Sequence, residues 1–103
     1  MYFGILYEYR DAETGESAYV GKATAPYSIA QAIRNLRLRH LTVRRPIPFD
    51  KLLRANLAHF TFRVLAEVTA QTGYTVSALL DVMEPQAVRS LYPRHNVVRF
   101  ASR

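Results

Sequence analysis

The stretch Tyr2-Phe3-Gly4-Ile5-Leu6-Tyr7-Glu8-Tyr9, the connector Asp11-Ala12-Glu13-Thr14-Gly15-Glu16 and the run Ser17-Ala18-Tyr19-Val20-Gly21 together decide the fold. Aromatic and β-branched residues dominate both flanks, and the Asp, Thr and Gly between them favour a turn. The pattern predicts an antiparallel hairpin with strands over 2–9 and 17–21 and a loop longer than the two-residue minimum.

Working outward, Pro26 ends the second strand and Ser28 is placed to cap a helix. Ile29, Ile33, Leu36 and His40 recur at helical intervals and predict a first helix near 28–40. Arg44-Arg45-Pro46-Ile47-Pro48 reads as extended, because each proline drives its predecessor out of the helical region. Asp50 then caps a short second helix carrying Leu52, Leu53, Asn56 and Leu57. Phe60, Phe62, Val64, Ala66 and Val68 alternate with polar residues, broken only by Leu65, as the apolar face of a strand.

After Gly73, Thr75 is read as the cap of a helix with an apolar stripe of Val76, Leu79, Leu80, Met83, Ala87 and Leu91. Pro85 predicts that this helix kinks or restarts at Glu84, and Pro93 stops it. Asn96 to Phe100 reads as a short final strand. The order β-β-α-α-β-α with a short C-terminal strand predicts an α+β fold, a small antiparallel sheet of about three strands flanked by helices.

The 103 residues fit one domain spanning 1–103, and half of them are apolar, enough for one core. The chain has no cysteine, which excludes disulfides, thiolate nucleophiles and cysteine-rich zinc sites. No apolar run approaches the roughly 20 residues of a membrane span, and the start lacks the cationic lead-in of a secretory signal, so a cytoplasmic protein with no membrane partner is expected.

The formal charge is +6 and twelve of the fourteen cations are arginine. Residues 1–16 sum to −3, residues 17–49 hold six cations and no acid, and residues 50–103 sum to +3. A cation cluster repels itself, so the middle third, with Arg34, Arg37, Arg39, Arg44 and Arg45, points to a polyanionic partner, nucleic acid first.

Three isolated histidines lack metal-ligand spacing, and no glycine-rich phosphate loop, nucleophile elbow or EF-hand loop is present. What remains is Gly4-Ile5-Leu6-Tyr7 in the first strand, Tyr19-Val20-Gly21-Lys22-Ala23 in the second, an arginine-bearing helix, a Phe-rich strand, Glu84 on a helix, then Pro93 and Asn96. In that order these features resemble the GIY-YIG nuclease superfamily over residues 3–98, and the second signature is similar to that of its nucleotide-excision-repair members.

The resemblance implies a metal-dependent endonuclease acting on nucleic acid, DNA first. It implies that Tyr19 contacts the nucleophilic water or the scissile phosphate, with Lys22 in support. A helix arginine, Arg34 or else Arg37, would stabilise phosphate charge, and Glu84 would bind one Mg²⁺ or Mn²⁺. A tyrosine would act as a base at neutral pH only with its pKa lowered by nearby cations, a shift toward which Lys22 and the helix arginines would contribute part. Arg39, His40, Arg44, Arg45 and Asn96 are expected to bind nucleic acid.

The first signature admits two registers. Either Tyr7 holds the tyrosine position, with Ile5 in place of the glycine, or Gly4 is the glycine and Leu6 replaces the tyrosine. Side chains alternate across a strand, so the two point to opposite faces, and the hydroxyl favours Tyr7. If Leu6 holds the position, the scaffold is a binding module with impaired catalysis, or an inhibitor or accessory factor that binds a protein. A chain of this size also leaves room for a protein partner that supplies targeting.

Overall fold

Ten residues rich in aromatic and aliphatic side chains, Tyr2–Asp11, form the central strand β1 of a three-stranded antiparallel sheet. The computed structural model describes residues 1–96. Strand β2, Ser17–Ala25, pairs with one edge of β1, and β3, Phe60–Ala70, with the other, giving the order β2-β1-β3. Between β2 and β3 lie helices α1, Ile29–Thr42, and α2, Pro48–Ala55, with one 3₁₀ turn at Leu57–His59. Helix α3, Gly73–Leu91, follows β3. The expected α+β fold and its β-β-α-α-β-α order are found. The expected final strand, Asn96 to Phe100, lies outside the described residues except for Asn96, which is in a bend.

β1 is buried on both faces, which is why Gly4 through Tyr9 reads as a nearly unbroken apolar run. Ile5, Tyr7 and Tyr9 pack with Ala32, Leu36, Phe49 and Leu53 of α1 and α2. Leu6 and Val20 pack with Val76, Leu80 and Val88 of α3. Gly4 allows the close approach of α3: a Cβ there would collide with Val76 and stand 2.9 Å from Leu80.

β3 departs from the single apolar face read from its alternation. The pairing steps from Leu6↔Ala66 to Tyr7↔Val64, leaving Leu65 without a partner as a β-bulge. Phe60, Phe62 and Val64 therefore face α1 and α2, while Leu65, Ala66 and Val68 face α3. The residue that breaks the alternation is the one that switches the strand between the two cores.

The helix caps also shift. Pro48 occupies the first turn of α2 and Asp50 sits three residues after the cap Ile47, accepting from its N–H at 3.1 Å. Thr72, not Thr75, caps α3, its hydroxyl accepting from the Thr75 N–H. α3 continues through Pro85 in one span, so of the two expected alternatives, a kink or a restart at Glu84, the restart does not occur. It ends at Tyr92, which takes the left-handed conformation with φ 49°.

Candidate active site around Tyr7 and Tyr19

Register puts the two signatures together. Tyr7 lies opposite Gly21 and Tyr9 opposite Tyr19, so Tyr7 and Tyr19 are diagonal neighbours on the α1 face with ring centroids 6.3 Å apart. Leu6 lies opposite Lys22 on the other face, within the α3 core. The structure thus brings Tyr7, and not Leu6, beside Tyr19. Gly21 makes room for it: a Cβ there would stand 2.5 Å from the Tyr7 hydroxyl oxygen and 2.6 Å from Cζ.

The Tyr7 hydroxyl meets His40 Nε2 at 2.6 Å, and His40 Nδ1 meets Asp50 Oδ1 at 2.5 Å. His40 is buried on the sheet-facing ridge of α1 with Ala32 and Leu36. Its expected place on a nucleic-acid surface is therefore corrected: it stands in the floor of the site. Asp50, read as a cap alone, is the buried partner that sequence reasoning missed. Arg54 of α2 donates to the carbonyls of His40 and Val43, each at 2.9 Å, satisfying the end of α1 and holding α2 against it.

Of the helix arginines, Arg39 lies with the tyrosines. It lines one cavity with Tyr19 and His40, and its charge opposes the burial of both tyrosine hydroxyls. Arg37 stacks over Phe62, 5.1 Å from the ring centroid, and its charge acts on Tyr9. Arg34 lines an outer groove with Ala30, Ile33 and Leu38. Neither of the two arginines first expected at the phosphate joins the tyrosine pair. The ridge Ala32, Leu36, His40 sets the helix phase, and on that phase Arg39 flanks the sheet while Arg34 turns away.

A cavity of about 210 Å³ opens here, lined by Tyr19, Arg39, His40, Arg45, Ile47 and Asp50. Arg44 is exposed in the connection between α1 and α2. Burial pushes the Tyr7 phenol well above the ordinary tyrosine range, with the Tyr19 hydroxyl adding and Arg39 only partly opposing. Burial raises Tyr19 too, helped by the charges of Glu84 and Asp50. Both tyrosines are thus neutral at pH 7, so the lowered pKa that a tyrosine base would need is not found.

Lys22 and Glu84 meet on the α3 face, and the Glu84 charge is felt at Tyr19 on the other face. Lys22 Nζ is 3.7 Å from Glu84 Oε1 and also pairs with Asp81, one turn earlier on α3. The Asp81 hydrogen bond, opposed by burial and aided by the Glu84 charge, holds the Lys22 ammonium above the usual lysine range. Burial raises the Glu84 carboxyl, with Lys22 pulling the other way. Glu84 and Asp81 offer only carboxylate oxygens, and the Glu84 side chain keeps 16% exposure. These are hard oxygen donors of the kind Mg²⁺ takes, and the Lys22 ammonium is paired with both of them.

Among the described residues, the one group of three potential metal ligands is Asp11, Glu13 and His59, with ligand atoms within 4.8 Å of one another. There Asp11 accepts from the Glu13 and Thr14 N–H groups and pairs with His59 at 2.8 Å, so it ties the hairpin loop to β3.

Asn96 spends its amide on the outer edge of β2. Its Oδ1 accepts from the Val20 N–H and its Nδ2 donates to the Val20 carbonyl, both at 2.8 Å. With the N–H groups of Arg94 and His95 donating to Ser17 and Ala18, residues 94–96 cover the first half of that edge. Asn96 therefore holds the Tyr19 strand in place, and its amide is not turned outward to a nucleic acid.

Among the described residues no helix is long and apolar enough to cross a membrane. Compared with protein-family models, curated proteins and solved structures, the chain matches none.

Proposed function

We propose that this chain is a metal-dependent endonuclease of the GIY-YIG type that hydrolyses phosphodiesters of nucleic acid, DNA first, in the cytoplasm. The observation that carries the reading is the Tyr7–Tyr19 pair with its hydroxyl on His40 and its neighbour Arg39, beside a cavity holding a second arginine, Arg45.

Two guanidiniums in one small cavity suit the non-bridging oxygens of a phosphate, whose charge grows in the transition state. Tyr19 at the cavity wall orients the attacking water. Tyr7, neutral at rest, serves as a relay: it passes its proton to His40 Nε2 as it takes one from that water. The new bond joins the water oxygen to phosphorus, the bond to the leaving oxygen breaks, and that oxygen takes a proton from solvent. Glu84, with Asp81 beside it, would hold the Mg²⁺ or Mn²⁺, which supplies Lewis-acid stabilisation of charge on the leaving oxygen. Lys22 keeps Glu84 ionised and neutralises the carboxylate pair.

Glu84→Gln tests the metal half of the reading. The swap keeps size and removes charge, so metal-dependent cleavage is expected to vanish while duplex binding stays within about twofold of wild type. Normal cleavage by the variant would contradict the assignment.

One observation favours a second reading. Tyr7 is only 1% exposed, and Ile5 stands at the signature's glycine position. A scaffold that has closed over its base would bind nucleic acid, or a partner protein, through the same cationic face without cutting. Retained binding with no cleavage at any Mg²⁺ concentration would establish it.

A further inference from the structure

Tyr7, His40 and Asp50 form a buried chain of three polar side chains drawn from β1, α1 and α2. Their residues are 1%, 5% and 4% exposed. Residues so far apart in sequence converge here only because α2 folds under α1, and burying a carboxylate there is costly unless its oxygens are used. Both are: Oδ1 meets His40 Nδ1 and Oδ2 accepts from the Ile47 N–H. The capping bond engages only one of them. The second oxygen points into the core at an imidazole, which capping does not require.

We propose that Asp50 is a positioning residue that fixes His40 as the Nδ1–H tautomer, so that Nε2 is the lone pair offered to the Tyr7 hydroxyl. The inference rests on the nuclease reading for its consequence in catalysis, but its structural content stands apart from it. A neutral imidazole has one donor and one acceptor nitrogen, and a carboxylate can only accept. With Asp50 ionised, Nδ1 must carry the proton and Nε2 must accept, so the phenol donates. The relay then runs in one direction, from Tyr7 to His40, and the imidazolium that forms is stabilised by the carboxylate already in contact with it. This is the logic by which a buried aspartate orients a catalytic histidine in hydrolytic triads, here with a phenol in the place of a serine.

Among the described residues, Asp50 is the carboxylate that contacts His40. Tyr7 and Tyr9 of β1 and Tyr19 of β2 pack on the ring at centroid distances of 5.8, 5.7 and 5.3 Å, and Phe49 of α2 at 5.9 Å. Arg39 precedes it on α1, and Arg45 shares the cavity. Two cations and three phenols surround one carboxylate, so the choice of tautomer falls to Asp50.

Asp50→Asn is the informative substitution. The asparagine oxygen can still accept from Ile47, keeping the helix start, while its NH₂ donates to Nδ1 and forces the proton to Nε2. Two-bond ¹⁵N–¹H correlation spectra of histidine-labelled protein at pH 7 read the tautomer directly. The wild type is expected to show His40 with Nδ1 protonated and Nε2 bare, and Asp50→Asn the reverse. Plasmid nicking with Mg²⁺ is expected to fall by about 10²- to 10⁴-fold at pH 7, with the loss shrinking as pH rises and hydroxide replaces the relay. Binding to a duplex oligonucleotide should not weaken, since the swap removes a negative charge from the cavity.

Tyr7→Phe guards against a variant that fails to fold. It removes the phenol but keeps Asp50 on His40, and the Nδ1–H tautomer should persist. A wild-type ring protonated on Nε2 or on both nitrogens, a tautomer that flips in Tyr7→Phe, or nicking unchanged when Asp50→Asn flips it would each overturn the proposal. Wild type that never nicks but shows the tautomer switch would overturn the nuclease reading alone.

Discussion

Gly21 lies beneath the ring of Tyr7, so close that a methyl group on its Cα would stand 2.5 Å from the phenol oxygen. Gly21 of β2 thus makes room for Tyr7 of β1. Gly21→Ala is expected to push Tyr7 off His40 and to cost about 1–3 kcal/mol of stability from overpacking. Gly4→Ala meets Val76 and Leu80 on the opposite face and should cost a similar amount without disturbing Tyr7. Urea denaturation together with nicking rates separates the two: Gly21→Ala should lose activity beyond its loss of stability, and Gly4→Ala should not.

Tyr92 ends α3 at φ 49°, in the left-handed region that disfavours side chains. It is 79% exposed, so its ring contributes little packing. Tyr92→Gly should stabilise the fold by about 1 kcal/mol, the left-handed penalty less the extra entropy of an unfolded glycine. A shift of the urea midpoint upward checks this.

Glu8 is a fully buried carboxylate on the α3 face, held by Arg10 at 2.8 Å and Arg63 at 2.6 Å. Burial, the largest influence, pushes its pKa up, but the neighbouring Ser17 hydroxyl, Arg63 and Arg10 outweigh it, and the carboxyl lies below the usual 4.5. A depressed folded value means that the contribution is complete above pH 4.5 and is lost as pH falls through the folded pKa. Glu8→Gln should therefore destabilise by about 1–3 kcal/mol at pH 7, with the difference from wild type narrowing below about pH 4. Stability curves between pH 3 and 7 measure it.

Duplex binding should weaken with salt by about 0.9 log units per log salt for each phosphate contacted. Arg39→Ala and Arg45→Ala remove cavity cations, so each should lower the slope by about one contact. Arg34→Ala, on the outer groove, should leave it unchanged. Titrations between low and physiological salt decide the matter.

The hairpin, the helix start at Ser28 and the element order were legible because local turn and capping chemistry agrees with the tertiary fold there, whereas α2 begins two residues before the expected cap Asp50, with Pro48 inside its first turn. The face change in β3 was visible only as a flaw, Leu65 among polar residues, because a bulge reverses side-chain parity without leaving a distinctive residue type. Arg39 was passed over because Arg34 and Arg37 share a helical face at a spacing of three. The buried ridge Ala32, Leu36 and His40 turns Arg34 away from the sheet and leaves Arg39 at its flank. Asp50 was unreadable as a histidine partner because capping alone accounts for an aspartate three residues into a helix, and its contact with His40 depends on how α2 packs on α1.

The central claim, that the Tyr7–Tyr19 site cuts phosphodiesters, is tested most directly by nicking of supercoiled plasmid by wild type and Tyr7→Phe, with Mg²⁺ and with chelator. The phenylalanine keeps the ring above Gly21 and deletes only the relay hydroxyl. Mg²⁺-dependent nicking by the wild type, lost with chelator and reduced at least about 100-fold in a folded Tyr7→Phe, is the expected result. A wild type that binds but never nicks, or a Tyr7→Phe that nicks as fast as wild type, would contradict it.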